Sequence, residues 1–306
     1  MAASLRELRQ RRNSVSATKK ITKAMELIAA SRIIKAQQKA QASAPYSREL
    51  TRAVSAVATL SDVEHPLTTQ IENPTRAAML LITSDQGLAG PYSANVLKKG
   101  DQLVEFLDEK GLDIDAYVTG RKGIGYYQFR ERPMLGTWEG FSQSPGYAEA
   151  REIAQTLLDA FMKPTDEGGV DEIHIVYTRY ISRISQVPEV LRLLPLEVVE
   201  ADEDDKPADP GEMHPLYGFE PDPEEVMDEL LPLYISSRIH YCLLQSAASE
   251  LASKQSAMKA ATDNAQQLIE SLTRQANQAR QAQITQEISE IVGGANALAD
   301  ANAESE

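Results

Sequence analysis

The residues Leu244, Ala247, Leu251, Lys254, Met258, Ala261, Ala265, Leu268, Leu272, Gln275 and Ala279 follow one another at alternating spacings of three and four. A stripe with that period keeps one helix face against a partner helix, and its small and medium side chains allow close approach. No proline follows Pro232, and a helix from there to Val292 would be roughly 90 Å long at ~1.5 Å per residue. The amino-terminal residues carry a second, sparser stripe: Leu5, Leu8, Val15, Thr22 and Met25 are spaced three, seven, seven and three apart. It predicts a helix through about Leu60, with a bend near Gln41 unless packing holds the helix, because Pro45 removes a backbone donor and crowds the preceding turn. Either stripe alone would fit a homodimeric coil, but two in one chain favour an antiparallel pair within the molecule.

Between the stripes the pattern shortens. Arg76–Ile82 is an apolar run ending in the turn Ser84-Asp85-Gln86-Gly87-Leu88-Ala89-Gly90-Pro91, which reads as a first strand, and Ser93 is placed to cap a helix through about Lys110. Asp115–Thr119 reads as a second strand, followed by Gly120-Arg121-Lys122-Gly123 and a helix. A helix over Tyr147–Met162 precedes strands over Asp171–Thr178 and from about Val187 to Glu197. Strands alternating with helices predict a small sheet domain. The expected organisation is therefore a helix over 1–60, an α/β domain over 75–200, a proline-containing acidic loop over 201–223 and a second long helix over 224–306.

Charge sharpens this division. Of a net −14, the span Met1–Arg52 holds twelve Lys or Arg against three acids, whereas Glu197–Glu229 holds fourteen acids and one base, Lys206. Two surfaces of opposite sign imply different partners. The single cysteine, Cys242, excludes an internal disulfide and fits a reducing compartment. No run of ~18 apolar residues suggests a membrane span. The first fifty residues are basic and poor in acids, as transit peptides are, but their helical pattern continues past that length.

Candidate chemistry is sparse. Neither Gly-x-Gly-x-x-Gly after the first strand nor Gly-x4-Gly-Lys-Ser/Thr occurs, so no phosphate-cradling loop is expected, and Gly87 and Gly90 read as turn glycines. Asp85 stands at a strand end, where α/β enzymes keep catalytic groups, but an Asp in such a turn more commonly accepts backbone amides. His65, His174, His214 and His240 are scattered without metal-ligand spacing. The basic first helix lacks stacking aromatics and belongs to an acidic chain, which argues against nucleic acid. No catalytic residue, metal or cofactor is expected.

Three segments carry a family resemblance. Thr18–Arg32, TKKITKAMELIAASR, closely resembles the amino-terminal helix of the γ subunits of F-type ATP synthases. Arg280–Ala295, RQAQITQEISEIVGGA, resembles that family's carboxyl-terminal signature, and Ile82–Tyr92 is similar to its loop after the first strand. The resemblance implies a long antiparallel coiled coil of the terminal helices plus a small Rossmann-like α/β domain. It implies a rotor subunit of the central stalk, coupling proton-driven rotation of the membrane c-ring to conformational cycling of the catalytic β subunits. Partners would be the α and β subunits of the head, the ε subunit and the c-ring, at the cytoplasmic face of a bacterial membrane.

By position in those segments, Lys20, Lys23 and Met25 are expected to face the β levers, and Arg280, Gln281, Thr285 and Glu287 the β catch loops. For the charged residues, plain solvation is the competing reading. Leu8, Leu5 and Val15 would pack in the seam with Leu251, Met258, Ala261, Ala265, Leu268 and Leu272. Leu298 and the alanines around it would form the tip, and Gly293-Gly294 weakens the helix before it. Gln86 and Ala89 replace a basic residue and a cysteine common in relatives, and the acidic loop is richer in acids than the family pattern. A static coiled-coil scaffold with an α/β adaptor is the alternative reading.

Overall fold

The computed structural model describes residues 5–60, 65–69, 71–196 and 222–303. The expected acidic loop at 201–223 lies almost wholly outside the described residues. The chain forms two compact units, one of residues 1–28 with 256–306 and the other of residues 29–255. Both terminal helices thus contribute to both units, a division that differs from the four segments read from the pattern.

Helix α1 spans Leu5–Leu60 and α5 spans Pro223–Ala303. α1 continues as one helix through Pro45. Tertiary packing around the proline accounts for this: the Ser47 and Ser237 hydroxyls lie 2.5 Å apart, and Tyr46 meets the ring of Tyr147 edge-on with centroids 6.5 Å apart. Both contacts hold the turn that follows the proline from outside the helix's own hydrogen bonding.

The larger unit is built on a five-stranded sheet ordered β3-β2-β1-β4-β5, with β1 Arg76–Ile82, β2 Asp113–Thr119, β3 Gly136–Trp138, β4 Glu172–Tyr180 and β5 Gln186–Leu194. All neighbours pair parallel except β4 with β5, which pair antiparallel. The near-continuous apolar run of β1 follows from its central place, with both faces covered. Ala77, Met79 and Leu81 pack towards α2 (Tyr92–Glu109) and α3 (Arg121–Phe129), whereas Ala78, Leu80 and Ile82 pack with α4 (Tyr147–Met162) and with Met227, Leu231, Ile235 and Ile239 of α5. β3 escaped the sequence pattern because three residues are too few to show a period.

Ser93 does not cap α2. The cap is Pro91, and Ser93 lies inside the helix with its hydroxyl 2.7 Å from that of Ser84. At the opposite end of the sheet the Asp171 carboxylate accepts from the Thr75 and Arg76 amides at 2.7 and 3.0 Å and from the Thr75 and Thr165 hydroxyls at 3.1 and 2.6 Å. It thereby fixes the entry of β1 beside β4.

Cys242 is fully buried in this core, and the loss of solvation pushes its thiol up to about 12. Since the thiolate is the reactive form, Cys242 is expected to resist alkylation in the native chain and to react at an ordinary rate in denaturant. Labelling by iodoacetamide, followed by mass spectrometry, checks this.

Candidate functional site

In the smaller unit the two helices run antiparallel, as their contacts show: Lys19 Nζ donates to Gln266 Oε1 at 2.6 Å, and Thr22 Oγ1 lies 2.8 Å from Thr262 Oγ1. Leu8 is buried with Leu272 and Ala276, and Leu5, Val15 and Ala279 pack around them. Met258, Thr262, Ala265, Leu272 and Ala276 form the buried line on this part of α5. In the larger unit, Leu251 is buried with Ile33, Ala36, Ala248 and Ala252.

The line departs from the expected seam at alternate positions. Ala261 is only half-buried and Leu268 is 38% exposed, whereas Thr262 is buried. A three-four alternation through Met258, Ala265 and Leu272 can be phased two ways, and apolarity favoured Ala261 over Thr262. The fold reverses the choice because Thr262 finds acceptors, with Thr22 opposite and the Met258 carbonyl 2.8 Å away, so its hydroxyl is satisfied on burial.

Ala265→Leu is expected to cost about 1–3 kcal/mol by overpacking this line. Gln278→Ala, on an exposed residue, should leave stability within ~0.5 kcal/mol. Thermal unfolding of the two variants measures the contrast.

The expected contact residues fall into two sets. Lys20 and Lys23 are exposed, with Lys23 paired to Glu26 at 3.1 Å, and Met25 is half-buried. Arg280, Gln281, Thr285 and Glu287 lie past Ala279, in a run of α5 where every residue from 280 to 295 is exposed. Their bonds stay within the helix: Thr285 donates to the Gln281 carbonyl at 2.9 Å and Gln283 to Glu287 at 3.0 Å. The two sets do not touch. The same run carries a feature missed in the sequence, an exposed apolar stripe of Ile284, Ile288, Ile291 and Val292 (44, 56, 71 and 52% exposed). Its spacing of four, three and one is that of a single helix face, displaced from the line of Leu272, Ala276 and Ala279, and was legible as such. The Leu298 backbone belongs to α5, but its side chain lies outside the described ones.

The sheet's own crevice is filled from within. At the carboxyl ends of β1 and β4, where the chain turns to opposite sides and α/β proteins hold ligands, Ser246 accepts from the Thr178 amide at 3.3 Å and Ser249 donates to the Thr178 carbonyl at 3.1 Å. Tyr92 and Glu250 are buried beside them. Asp85 accepts from the amides of Arg121 and Ser142 at 3.2 and 2.9 Å, so it serves backbone amides, though not those of its own turn. Among the described residues no cluster of His, Cys, Asp or Glu is arranged to hold a metal ion.

The profile of the ATP synthase family matches residues 4–298. The ATP synthase gamma chain of a Nocardioides species is 61% identical over 306 residues, covering 100% of both chains, and that of Thermobifida fusca is 59% identical over 307 residues with the same coverage. The chain belongs to the ATP synthase gamma chain family.

Solved gamma-chain-like folds agree with this membership in architecture. A chain of the Euglena gracilis mitochondrial ATP synthase matches with a TM-score of 0.63 at 16% identity, covering 96% of this chain and 94% of its own. One from the central stalk and c-ring of the Tetrahymena thermophila enzyme matches with 0.55 at 23% identity, covering 79% of this chain and 99% of its own. These likenesses concern the fold alone.

Proposed function

We propose that this chain is the central-stalk rotor subunit of a proton-translocating ATP synthase and carries no catalytic residue of its own. The observation that carries the reading is the fully exposed run 280–295 of α5, one side polar and charged and the other apolar. Such a surface is suited to contacting partners by both charge-assisted bonds and apolar contact. Family membership supports the identity of those partners: α and β subunits for the terminal-helix unit, and the ε subunit and c-ring for the sheet unit.

Lys20, Lys23 and Met25 would meet the β levers, and Arg280, Gln281, Thr285 and Glu287 the catch loops. A shaft drives its surroundings by interacting differently with each of their states, since only differential contact shifts an equilibrium. The two sets lie on different helices and differ in chemistry, so each β subunit would meet a different face as the shaft turns. No described helix is long and apolar enough to cross a membrane, which is compatible with peripheral attachment at the cytoplasmic face of a bacterial membrane.

The test is reconstitution. Purified α and β subunits should form an ATP-hydrolysing, rotating complex when this chain is added. A static scaffold would bind them without rotation of a bead attached to the sheet unit, and that outcome would replace the rotor reading.

A further inference from the structure

Within the sheet unit, the loop between β3 and α4 reaches three other parts of the chain through one residue. Gln143 Nε2 donates to Glu250 Oε1 of α5 at 2.7 Å and to Gln86 Oε1 of the loop after β1 at 3.4 Å, and Gln143 Oε1 accepts from Arg32 of α1 at 2.7 Å. Both amide hydrogens and the carbonyl oxygen of Gln143 are thereby used.

Its neighbours extend the tie. Ser144 accepts from Lys39 of α1 at 2.8 Å, the Ser142 amide donates to Asp85 at 2.9 Å, and Lys254 of α5 donates to Gln86 at 3.4 Å. Glu250 is fully buried, is 3.5 Å from Lys254, and leaves Oε2 without a hydrogen-bond partner in the described structure. Burying a carboxyl group is costly, and here the Gln143 amide, Lys254 and the Ser142 hydroxyl act against that cost.

The location gives it a use. Arg32, Glu250 and Lys254 lie close to the limits of this unit at Ala29 and Gln255. α5 also meets β4 directly, where Gln245 accepts from the Tyr180 amide at 3.0 Å and Ser246 and Ser249 bond to Thr178, whereas nearer its start it is held to the sheet largely by aliphatic contacts such as Leu231, Ile235 and Ile239. Apolar contact is non-directional and resists rotation of a helix about its axis weakly, whereas hydrogen bonds weaken steeply when misaligned. We propose that Gln143 is the hub of a polar lock that holds α1 and α5 against twisting relative to the sheet, so that torque passes between the sheet and the long helices. This rests on the rotor reading and adds the residues through which the load would travel.

The experiment compares full-length variants in the assembled, membrane-bound synthase, measuring ATP hydrolysis and ATP-driven proton pumping in the same vesicles. Gln143→Ala is expected to lower pumping by more than it lowers hydrolysis, and Arg32→Gln, on an exposed side chain, to do so to a smaller degree without affecting the melting temperature. Asp101→Asn is the control: it loosens the Asp101 bonds to Arg132 and Tyr126 (2.6 and 2.7 Å), a polar tie between α2 and the end of α3 that touches neither long helix. Equal ratios of pumping to hydrolysis in wild type, Gln143→Ala and Arg32→Gln would overturn the lock. So would an equal fall in Asp101→Asn, because general softening would then explain it. Failure of the wild-type chain to support any pumping would instead overturn the rotor reading.

Discussion

Replacing Arg280 and Gln281 together by alanine is expected to reduce ATP synthesis by the assembled enzyme by about ten-fold or more, the scale of lost charge-assisted contacts with a partner. The melting temperature of the isolated chain should not move, because both side chains are exposed and neither belongs to the buried line through Met258, Ala265 and Leu272. Alanine also has the better helix propensity, so α5 itself is not weakened. Paired measurements of synthesis rate and thermal unfolding decide the matter. A drop in both, in proportion, would mean that these residues support the fold, and unchanged synthesis would remove them from the contact surface.

The largest stability effect is expected at Asp171, which is 4% exposed and accepts four hydrogen bonds. Asp171→Ala leaves the Thr75 and Arg76 amides without their acceptor, at about 1–3 kcal/mol for each unsatisfied group, so a loss of about 3 kcal/mol or more is expected in denaturant titration. The same site has a signature in acid. Burial acts to raise the carboxyl's pKa, but the bonds from Thr165, Thr75 and Arg76 together outweigh it and hold it below the ordinary carboxylate value. A carboxylate depressed in the folded state contributes stability that is present above its unfolded value of ~3.9 and is lost as pH falls through the folded value. Wild type should therefore lose stability more steeply than Asp171→Ala below about pH 4, and the two curves should converge in acid. Parallel curves would show that folding does not shift the Asp171 carboxyl.

How much of this was legible depended on whether the relevant signal was local. β1 and α4 were read with the bounds they have, Arg76–Ile82 and Tyr147–Met162, because each is a run of clear period closed by turn residues. The seam was read in the right helix but mis-phased at Ala261 and Leu268, since the period admits two solutions and the deciding fact, a hydroxyl at Thr22 facing Thr262, sits far away in sequence. That the helix runs on through Pro45 could not be read locally, because the side chains that meet it there belong to two other helices. The lock was invisible: Arg32, Gln86, Gln143 and Glu250 come from four separated segments, and no spacing links them. The family resemblance located the exposed run of α5, and the stripe of Ile284, Ile288, Ile291 and Val292 within it was legible from its period alone, although it lies on a different face from the line that ends at Ala279.

The filled crevice at the ends of β1 and β4 has a mechanical meaning. Enzymes built on parallel sheets keep the loops at that edge soft, because substrate must enter and product must leave, and softness there is part of turnover. In this chain the same edge is plugged by Ser246, Ser249, Glu250 and Tyr92 and stitched by Asp85 to the amides of Arg121 and Ser142. The most compliant region of the architecture has thus become one of its most constrained. A part that conveys force loses work to any internal give, so in the proposed rotor an edge better known for opening to ligands would serve by staying closed.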